Sequence, residues 1–309
     1  MLNCLDIPSS VPNQLVTRRY GVELYIKRED LLHPEVAGNK YRKLKYNLEE
    51  AQMEGHSTLL TFGGAYSNHI AATAAAGKKC GFKTIGVIRG DELGEELEKT
   101  LRENPTLKFA HSCGMQFKFI SRNAYRQKDT QEMYRDLRTE FGNFYLLPEG
   151  GSNQLAVQGC QEILTKDDSQ YDVICCAVGT GGTMAGIINA SEPHQQIIGF
   201  PALKGNFLET EIGKYVWQTN WKLNSDYHFG GYARIEKSLI DFINDFRYQF
   251  KIPLDPIYTG KMMYGIFDLL EKGDFQENQR ILAVHTGGLQ GIAGMNRRLR
   301  EKAYPLIAI

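Results

Sequence analysis

The sequence has no surplus of either charge. Its 309 residues include 36 lysines and arginines and 36 aspartates and glutamates, so the formal net charge is zero. Nucleic acids and anionic membranes bind concentrated basic surfaces, so neither is expected as the main partner. The chain also lacks an apolar run near the ~20 residues that span a bilayer, and its first residues lack the layout of a secretory signal. We therefore expect a cytoplasmic protein.

Several motifs of common enzyme classes are also missing. The six cysteines form no CxxC pair and no zinc-type spacing, so no metal site is predicted. A structural disulfide is not expected in a cytoplasmic protein. Neither HExxH nor GxSxG occurs, which excludes zinc proteases and hydrolases with a nucleophile elbow. Cys175 and Cys176 lie in an apolar run, where buried cysteines act as small hydrophobic side chains.

What is present is an alternation of short apolar runs with longer amphipathic stretches, after an opening expected to be irregular. The predicted strands cover residues 58–62, 84–88, 116–120, 144–147, 173–178, 197–200 and 281–285. The predicted helices cover 39–54, 68–80, 92–103, 124–140, 154–165, 182–190, 235–250, 261–271 and 289–301. This order is typical of βαβ units, and it predicts an α/β protein with mainly parallel sheets in two lobes.

A glycine-rich loop follows the most apolar predicted strand and opens a helix. It consists of Gly179, Thr180, Gly181, Gly182 and Thr183. Glycines let backbone N–H groups approach an anion, and the positive end of the following helix points to the same place. No Gly-Lys-Ser/Thr follows, and Met184 breaks the dinucleotide pattern. The loop predicts a cup for one phosphate, with an ordinary strand-to-helix turn as the alternative.

Two other junctions combine a helix start with reactive or polar side chains. Lys40 begins a predicted helix, where the helix dipole disfavours a cation and so favours the neutral amine that a Schiff base needs. An ordinary surface lysine is the alternative. Ser67, Asn68 and His69 follow a glycine turn, where they can cap the next helix or donate hydrogen bonds to a carboxylate.

Together these segments resemble the 1-aminocyclopropane-1-carboxylate deaminase/D-cysteine desulfhydrase family. These are pyridoxal-phosphate enzymes of the tryptophan-synthase-β type, called fold type II. The matching segments cover nearly the whole chain in the family's order: residues 26–30, 38–44, 63–69, 148–153, 178–183, 230–232, 255–261 and 285–288.

The resemblance implies a two-lobed α/β architecture, with a mostly parallel twisted sheet flanked by helices in each lobe. Residues 1–43 and 153–309 would form the larger lobe, and residues 44–152 a smaller inserted one. Pyridoxal 5'-phosphate would lie in the cleft between them. The resemblance also implies a small amino acid as substrate and a homodimer.

The resemblance further implies roles for individual residues. Lys40 matches the lysine that binds the cofactor covalently and moves the Cα proton. Asn68 matches the residue bonded to the cofactor's phenolic oxygen, and Ser67 and His69 lie where the substrate carboxylate is held. The remaining matches are the phosphate cup at 179–183, the active-site tyrosines Tyr258 and Tyr232, and Thr259 at the pyridine nitrogen, assisted by Thr286.

Two positions favour β-elimination over ring opening. The deaminase branch has Glu at the position of Thr259 and tends to have Gln at the position of His69. A neutral threonine implies a weaker electron sink, which is sufficient to expel thiolate. The predicted reaction converts D-cysteine to pyruvate, sulfide and ammonia. The alternatives are 1-aminocyclopropane-1-carboxylate deaminase, elimination from another D- or L-amino acid, a synthase and a non-catalytic cofactor carrier.

Overall fold

Two separate β-sheets organise the computed structural model, which describes residues 4, 5, 8, 10–36 and 38–308. The strands are β1 (Asn13–Arg19), β2 (Val22–Lys27), β3 (Thr58–Gly64), β4 (Lys83–Arg89), β5 (Gln116–Ile120), β6 (Tyr145–Leu147), β7 (Val173–Val178), β8 (Gln196–Pro201), β9 (Trp221–Leu223) and β10 (Arg280–Val284). The helices are α1 (Asn39–Met53), α2 (Asn68–Cys80), α3 (Glu92–Glu95), α4 (Leu97–Glu103), α5 (Pro105–Ser112), α6 (Arg122–Tyr125), α7 (Gln131–Phe141), α8 (Gln154–Gln161), α9 (Gly182–Ala190), α10 (Phe207–Gly213), α11 (Lys237–Phe250), α12 (Thr259–Lys272) and α13 (Gly291–Glu301).

The larger sheet has the strand order β1-β2-β10-β7-β8-β9. Its strands pair in parallel except β1 and β2, which form an antiparallel hairpin. The expectation of an irregular opening was therefore wrong for this hairpin. In β2, Val22, Leu24 and Ile26 are buried at every second position, which is the period of a strand with one face on the core.

The smaller sheet has the order β5-β4-β3-β6, and every pair in it is parallel. Its strands lie within residues 44–152, while the boundaries of the predicted inserted lobe stay a prediction. The Ala-rich helix α2 packs close to β3 and β4 because its small side chains allow the backbones to approach. The α/β class with parallel sheets flanked by helices is confirmed.

Several predicted helices differ in the structure. The stretch 92–103 is divided between α3 and α4, and the stretch 124–140 between α6 and α7. Helix α5 was not predicted, although Asn104 caps it and Pro105 occupies its first turn. Helix α10 and the three-residue strand β9 were also missed. Among the described residues, no helix is long and apolar enough to cross a membrane.

The cysteines give one correction. Cys4 and Cys80 form a disulfide, with their Cα atoms 5.1 Å apart, although no disulfide was expected. The two residues are separated by 76 positions, so no local sequence pattern predicts that they pair. Cys175 and Cys176 are fully buried in β7, as expected from their apolar surroundings.

Candidate active site

The carboxyl ends of strands from both sheets border one cleft of about 530 Å³, its open mouth included. Ligands bind at this edge in open α/β sheets, because the loops that turn into helices lie there. Eight of the predicted site residues line the cleft: Lys40, Asn68, Gly179, Thr180, Gly181, Thr183, Tyr258 and Thr286. Five others do not line it directly: Ser67, His69, Gly182, Tyr232 and Thr259.

The glycine-rich loop leads from β7 into α9 at the floor of the cleft. Gly181 has a φ of +87°, and a Cβ atom there would lie 2.8 Å from Ile212. A Cβ atom on Gly182 would lie 2.8 Å from Ser152 Oγ. The two glycines themselves thus add no side chain at the N-terminus of α9, where the N–H groups of a first helical turn attract an anion.

Lys43 belongs to this cup and was missed in the sequence. Its side chain is buried, and Nζ donates hydrogen bonds to Gly150 O at 3.0 Å and Ser152 Oγ at 2.9 Å. Thr180 Oγ1 lies 3.4 Å from the same nitrogen. Among the described residues, no carboxylate forms an ion pair with Lys43, and burial lowers the pKa of its ammonium. A buried cation beside an open helix N-terminus fits a phosphate group. Its spacing of one turn from Lys40 was the available signal.

Lys40 lies in the first turn of α1, half-buried on the wall of the cleft. Burial, aided by the charge of Lys43, lowers the pKa of Lys40 to about 7. The start of α1 is fixed by Gly38, whose φ is +59°. A Cβ atom on Gly38 would lie 2.1 Å from Thr286 O, so only glycine allows this approach. Lys40 is therefore an amine that is about half neutral near pH 7, which suits nucleophilic and basic chemistry.

The turn after β3 brings Asn68 to the cleft and places Ser67 at the N-cap of α2. Ser67 Oγ accepts a hydrogen bond from Ile70 N at 3.4 Å, so its capping role is present. His69 is buried behind the turn, where Nε2 lies 2.9 Å from Thr61 Oγ1. Burial keeps the pKa of His69 well below its usual value. A direct contact of His69 with a substrate carboxylate stays a prediction.

Tyr258 and Tyr232 form an edge-to-face pair, with ring centroids 6.3 Å apart. Tyr258 immediately precedes α12 and lines the cleft, whereas Tyr232 is 45% exposed. Burial raises the pKa of both hydroxyls, most strongly that of Tyr258. Both hydroxyls therefore keep their protons at neutral pH, and Tyr258 can donate one into the cleft.

Thr259 is fully buried and bonded to Asp255. Its Oγ1 donates to Asp255 Oδ1 at 2.8 Å and accepts from Asp255 N at 2.9 Å. The same carboxylate accepts from the backbone N–H groups of Ile257, Tyr258 and Thr259, so it caps the start of α12. Thr286, not Thr259, lines the cleft. The roles of the two threonines at a pyridine nitrogen stay predictions.

Comparison with known proteins shows the family to which the chain belongs. The family model described as "Pyridoxal-phosphate dependent enzyme" matches residues 11–287. The chain belongs to this family. The cofactor of this pyridoxal-phosphate-dependent enzyme is therefore pyridoxal 5'-phosphate, as predicted. The helix start at α9 that lines the cleft, the buried Lys43 and the near-neutral amine of Lys40 fit that group.

The relatives of this pyridoxal-phosphate-dependent enzyme define its branch. The chain is 31% identical over 319 residues to a protein of Pyrococcus abyssi that is provisionally named a 1-aminocyclopropane-1-carboxylate deaminase, covering 96% of this chain and 94% of the relative. It is 30% identical to the mitochondrial bifunctional D-cysteine desulfhydrase/1-aminocyclopropane-1-carboxylate deaminase of Arabidopsis thaliana, covering 88% and 74%. The crystal structure of an ACC deaminase homologue matches with a TM-score of 0.83 at 29% identity, covering 96% and 95%. The predicted family and fold type II are confirmed.

Proposed function

We propose that the protein is a D-cysteine desulfhydrase-like lyase that eliminates a β-substituent from a small amino acid. With D-cysteine and one water, the products are pyruvate, hydrogen sulfide and ammonia. One observation carries the choice between the two branch activities: among the described residues that line the cleft, none is a carboxylate. Asp255 is buried and already accepts hydrogen bonds at both oxygens, and Glu35, which lines an adjoining pocket with Lys40, pairs with Lys79.

Bound pyridoxal phosphate supplies an electron sink, and its strength depends on the charge beside the ring. A carboxylate beside a ring nitrogen favours the protonated ring and a stronger sink. Without one, expulsion of a good leaving group such as thiolate is feasible, whereas opening of an unactivated cyclopropane ring is harder. The plant relative is named for both activities, so the family includes the proposed one.

The substrate carboxylate would be bound at the start of α2. The backbone N–H groups of this helix end carry partial positive charge, and Asn68 adds an amide on the wall of the cleft. Ser67 holds the turn in place through its bond to Ile70 N. These donors would fix the orientation of the amino acid relative to Lys40.

Lys40 would take the Cα proton at Nζ. With a pKa of about 7, this amine is about half neutral at pH 7, so it can accept a proton and return it. Tyr258 would donate its hydroxyl proton to the departing sulfur, because its raised pKa keeps that proton in place. Tyr232, edge-on to Tyr258, would support the same step.

The first experiment is a visible absorption spectrum of the purified protein, before and after addition of D-cysteine. Lysine-bound pyridoxal phosphate absorbs near ~410–430 nm. We expect D-cysteine to shift this band and to release equal amounts of pyruvate and sulfide. Lys40→Ala should abolish release, whereas Lys45→Ala, on the same helix but paired with Glu162 away from the cleft lining, should not.

The same assay separates the alternatives. Release of 2-oxobutanoate from 1-aminocyclopropane-1-carboxylate, with no reaction of D-cysteine, would reject the desulfhydrase proposal. A yellow protein that turns over neither compound, nor a panel of D- and L-amino acids, would be a carrier. A product that incorporates an added thiol would indicate a synthase.

A further inference from the structure

A buried lysine outside the cleft, Lys261, is hydrogen-bonded to the loop that carries Tyr232. Lys261 lies in the first turn of α12 and is only 2% exposed. Its Nζ donates hydrogen bonds to His228 O and Gly231 O, each at 2.8 Å. Among the described residues, no carboxylate forms an ion pair with it, so two backbone carbonyls compensate its burial.

The loop bound by Lys261, residues 228–233, has an unusual backbone conformation. Four of its residues have positive φ angles: Phe229 at 52°, Gly230 at 82°, Gly231 at 114° and Ala233 at 53°. Phenylalanine and alanine rarely adopt such angles, which cost free energy unless surrounding contacts enforce them. The loop's own bonds, such as Gly231 N to His228 O at 2.9 Å, form a tight turn but do not tie it to the rest of the fold. The bonds from Lys261 do, together with a longer one from Arg298 Nη1 to Ala233 O at 3.4 Å and the packing of Phe229 on Tyr264.

Both tyrosines are thereby attached to the start of one helix. Tyr258 directly precedes α12, and Lys261 follows three residues later, reaching across to the loop of Tyr232. The two ring centroids lie 6.3 Å apart, and Tyr232 remains 45% exposed. We propose that Lys261 is a positioning residue that holds the 228–233 loop so that Tyr232 stays against Tyr258. This inference rests on the proposed role of the tyrosines in protonating the leaving group.

A leaving group that needs no proton distinguishes positioning from general damage. Thiolate departure from D-cysteine benefits from a donated proton, whereas chloride departure from 3-chloro-D-alanine does not. General acids typically contribute 10²–10⁴-fold, and a displaced acid loses part of that. We expect Lys261→Met to lower kcat on D-cysteine about tenfold and kcat on 3-chloro-D-alanine less than about twofold.

Combining Lys261→Met with Tyr232→Phe tests the route of the effect. In the Tyr232→Phe background, the lysine substitution should lower kcat on D-cysteine less than about twofold, because residues acting through one group are not additive. Equal losses in both backgrounds, or equal losses with both substrates, would overturn the positioning role.

Hydrogen exchange of the protein supplies a readout independent of activity. The peptide covering residues 228–233 should exchange faster in Lys261→Met than in the parent protein, with or without cofactor. Lys27→Met is the matched control, since Lys27 is also buried but pairs with Asp168 at 2.8 Å, far along the chain from this loop. Unchanged exchange in the 228–233 peptide would overturn the inference.

The exchange data also separate this inference from the proposed function. If Tyr232→Phe keeps the parent rate on D-cysteine while Lys261→Met loosens the loop, the catalytic part of the proposal is wrong and only the anchoring contact stands. If Lys261→Met does not fold, the same comparison is made with Lys261→Gln, which keeps a donor for one carbonyl but loses the charge. A 228–233 loop that stays protected from hydrogen exchange in Lys261→Gln counts against the inference.

Discussion

Lys40 and Lys43 lie one turn apart on α1, and the charge of Lys43 helps to lower the pKa of Lys40. Lys43 is bonded to Gly150 and Ser152 beside the phosphate cup, whereas Lys40 faces the cleft. One helix turn thus supplies both a fixed cation for an anionic group and an amine that is easily neutral.

Cofactor uptake should depend on pH through Lys40. Its folded-state pKa is lowered to about 7 from 10.5, mainly by burial. Only the neutral amine attacks an aldehyde, so the rate of pyridoxal phosphate incorporation into the cofactor-free protein should rise with pH, with a midpoint near 7, and level off above it. Absorbance near ~420 nm follows the reaction. A midpoint near the ordinary lysine value would show that the amine is solvated.

Lys43→Met should weaken cofactor binding without removing the covalent link to Lys40. Hydrogen bonds to charged groups contribute about 1.5–3 kcal/mol, so the dissociation constant should rise about 10- to 100-fold. Equilibrium dialysis against pyridoxal phosphate measures it. Lys45→Met on the same helix serves as the control, because Lys45 pairs with Glu162 at 2.5 Å instead of lining the cleft. An unchanged dissociation constant would show that Lys43 stabilises the protein structure and does not bind the cofactor.

Substitution of Thr259 should change the stability of the protein, whereas substitution of Thr286 should change the absorption of the bound cofactor. Thr259→Val removes a buried hydroxyl that is bonded to Asp255, so the free energy of unfolding should fall by about 1–3 kcal/mol. Denaturant unfolding measures this change. Thr286→Val should leave stability nearly unchanged and shift the visible band, since Thr286 lines the cleft. If Thr259→Val shifts the band and Thr286→Val does not, the ring nitrogen's partner is Thr259.

The thiol count should reveal the disulfide. Of the six cysteines, Cys4 and Cys80 are paired, so protein denatured without reductant should react at 6 − 2 = 4 thiols and at six after reduction. Reduction should also lower the free energy of unfolding by roughly 2–4 kcal/mol, because the bond closes a long loop of the unfolded chain. A Cys4→Ser/Cys80→Ser variant should show four thiols under both conditions. Six thiols in unreduced protein would contradict the pairing.

The sequence was most informative where function depends on neighbouring residues. The phosphate cup at 179–183 could be predicted because glycines, hydroxyls and a helix start are adjacent in the chain. Lys43 could not, since its partners Gly150 and Ser152 are more than a hundred residues away. The bond from the Thr259 hydroxyl to Asp255 could not be predicted either, because nearby sequence does not show which way a side chain turns.

Long separation also explains the missed elements. The pairing of Cys4 with Cys80 depends on how the chain packs over α2, not on a spacing. The anchoring by Lys261 likewise needs a loop 30 residues upstream. In the hairpin of β1 and β2, by contrast, Val22, Leu24 and Ile26 follow the period of a strand, so the local pattern predicts β2.

The strand order of the larger sheet has a consequence for how the chain folds. β10, the last strand in sequence, lies between β2 and β7, so it joins an early and a middle segment of the chain. Until residues 280–284 are synthesised, β2 and β7 are open edges that invite wrong pairing. Lys40 follows β2 and the predicted phosphate cup follows β7, so we expect tight cofactor binding only after this strand is inserted. Pyridoxal phosphate would therefore favour the completed fold by mass action during biosynthesis.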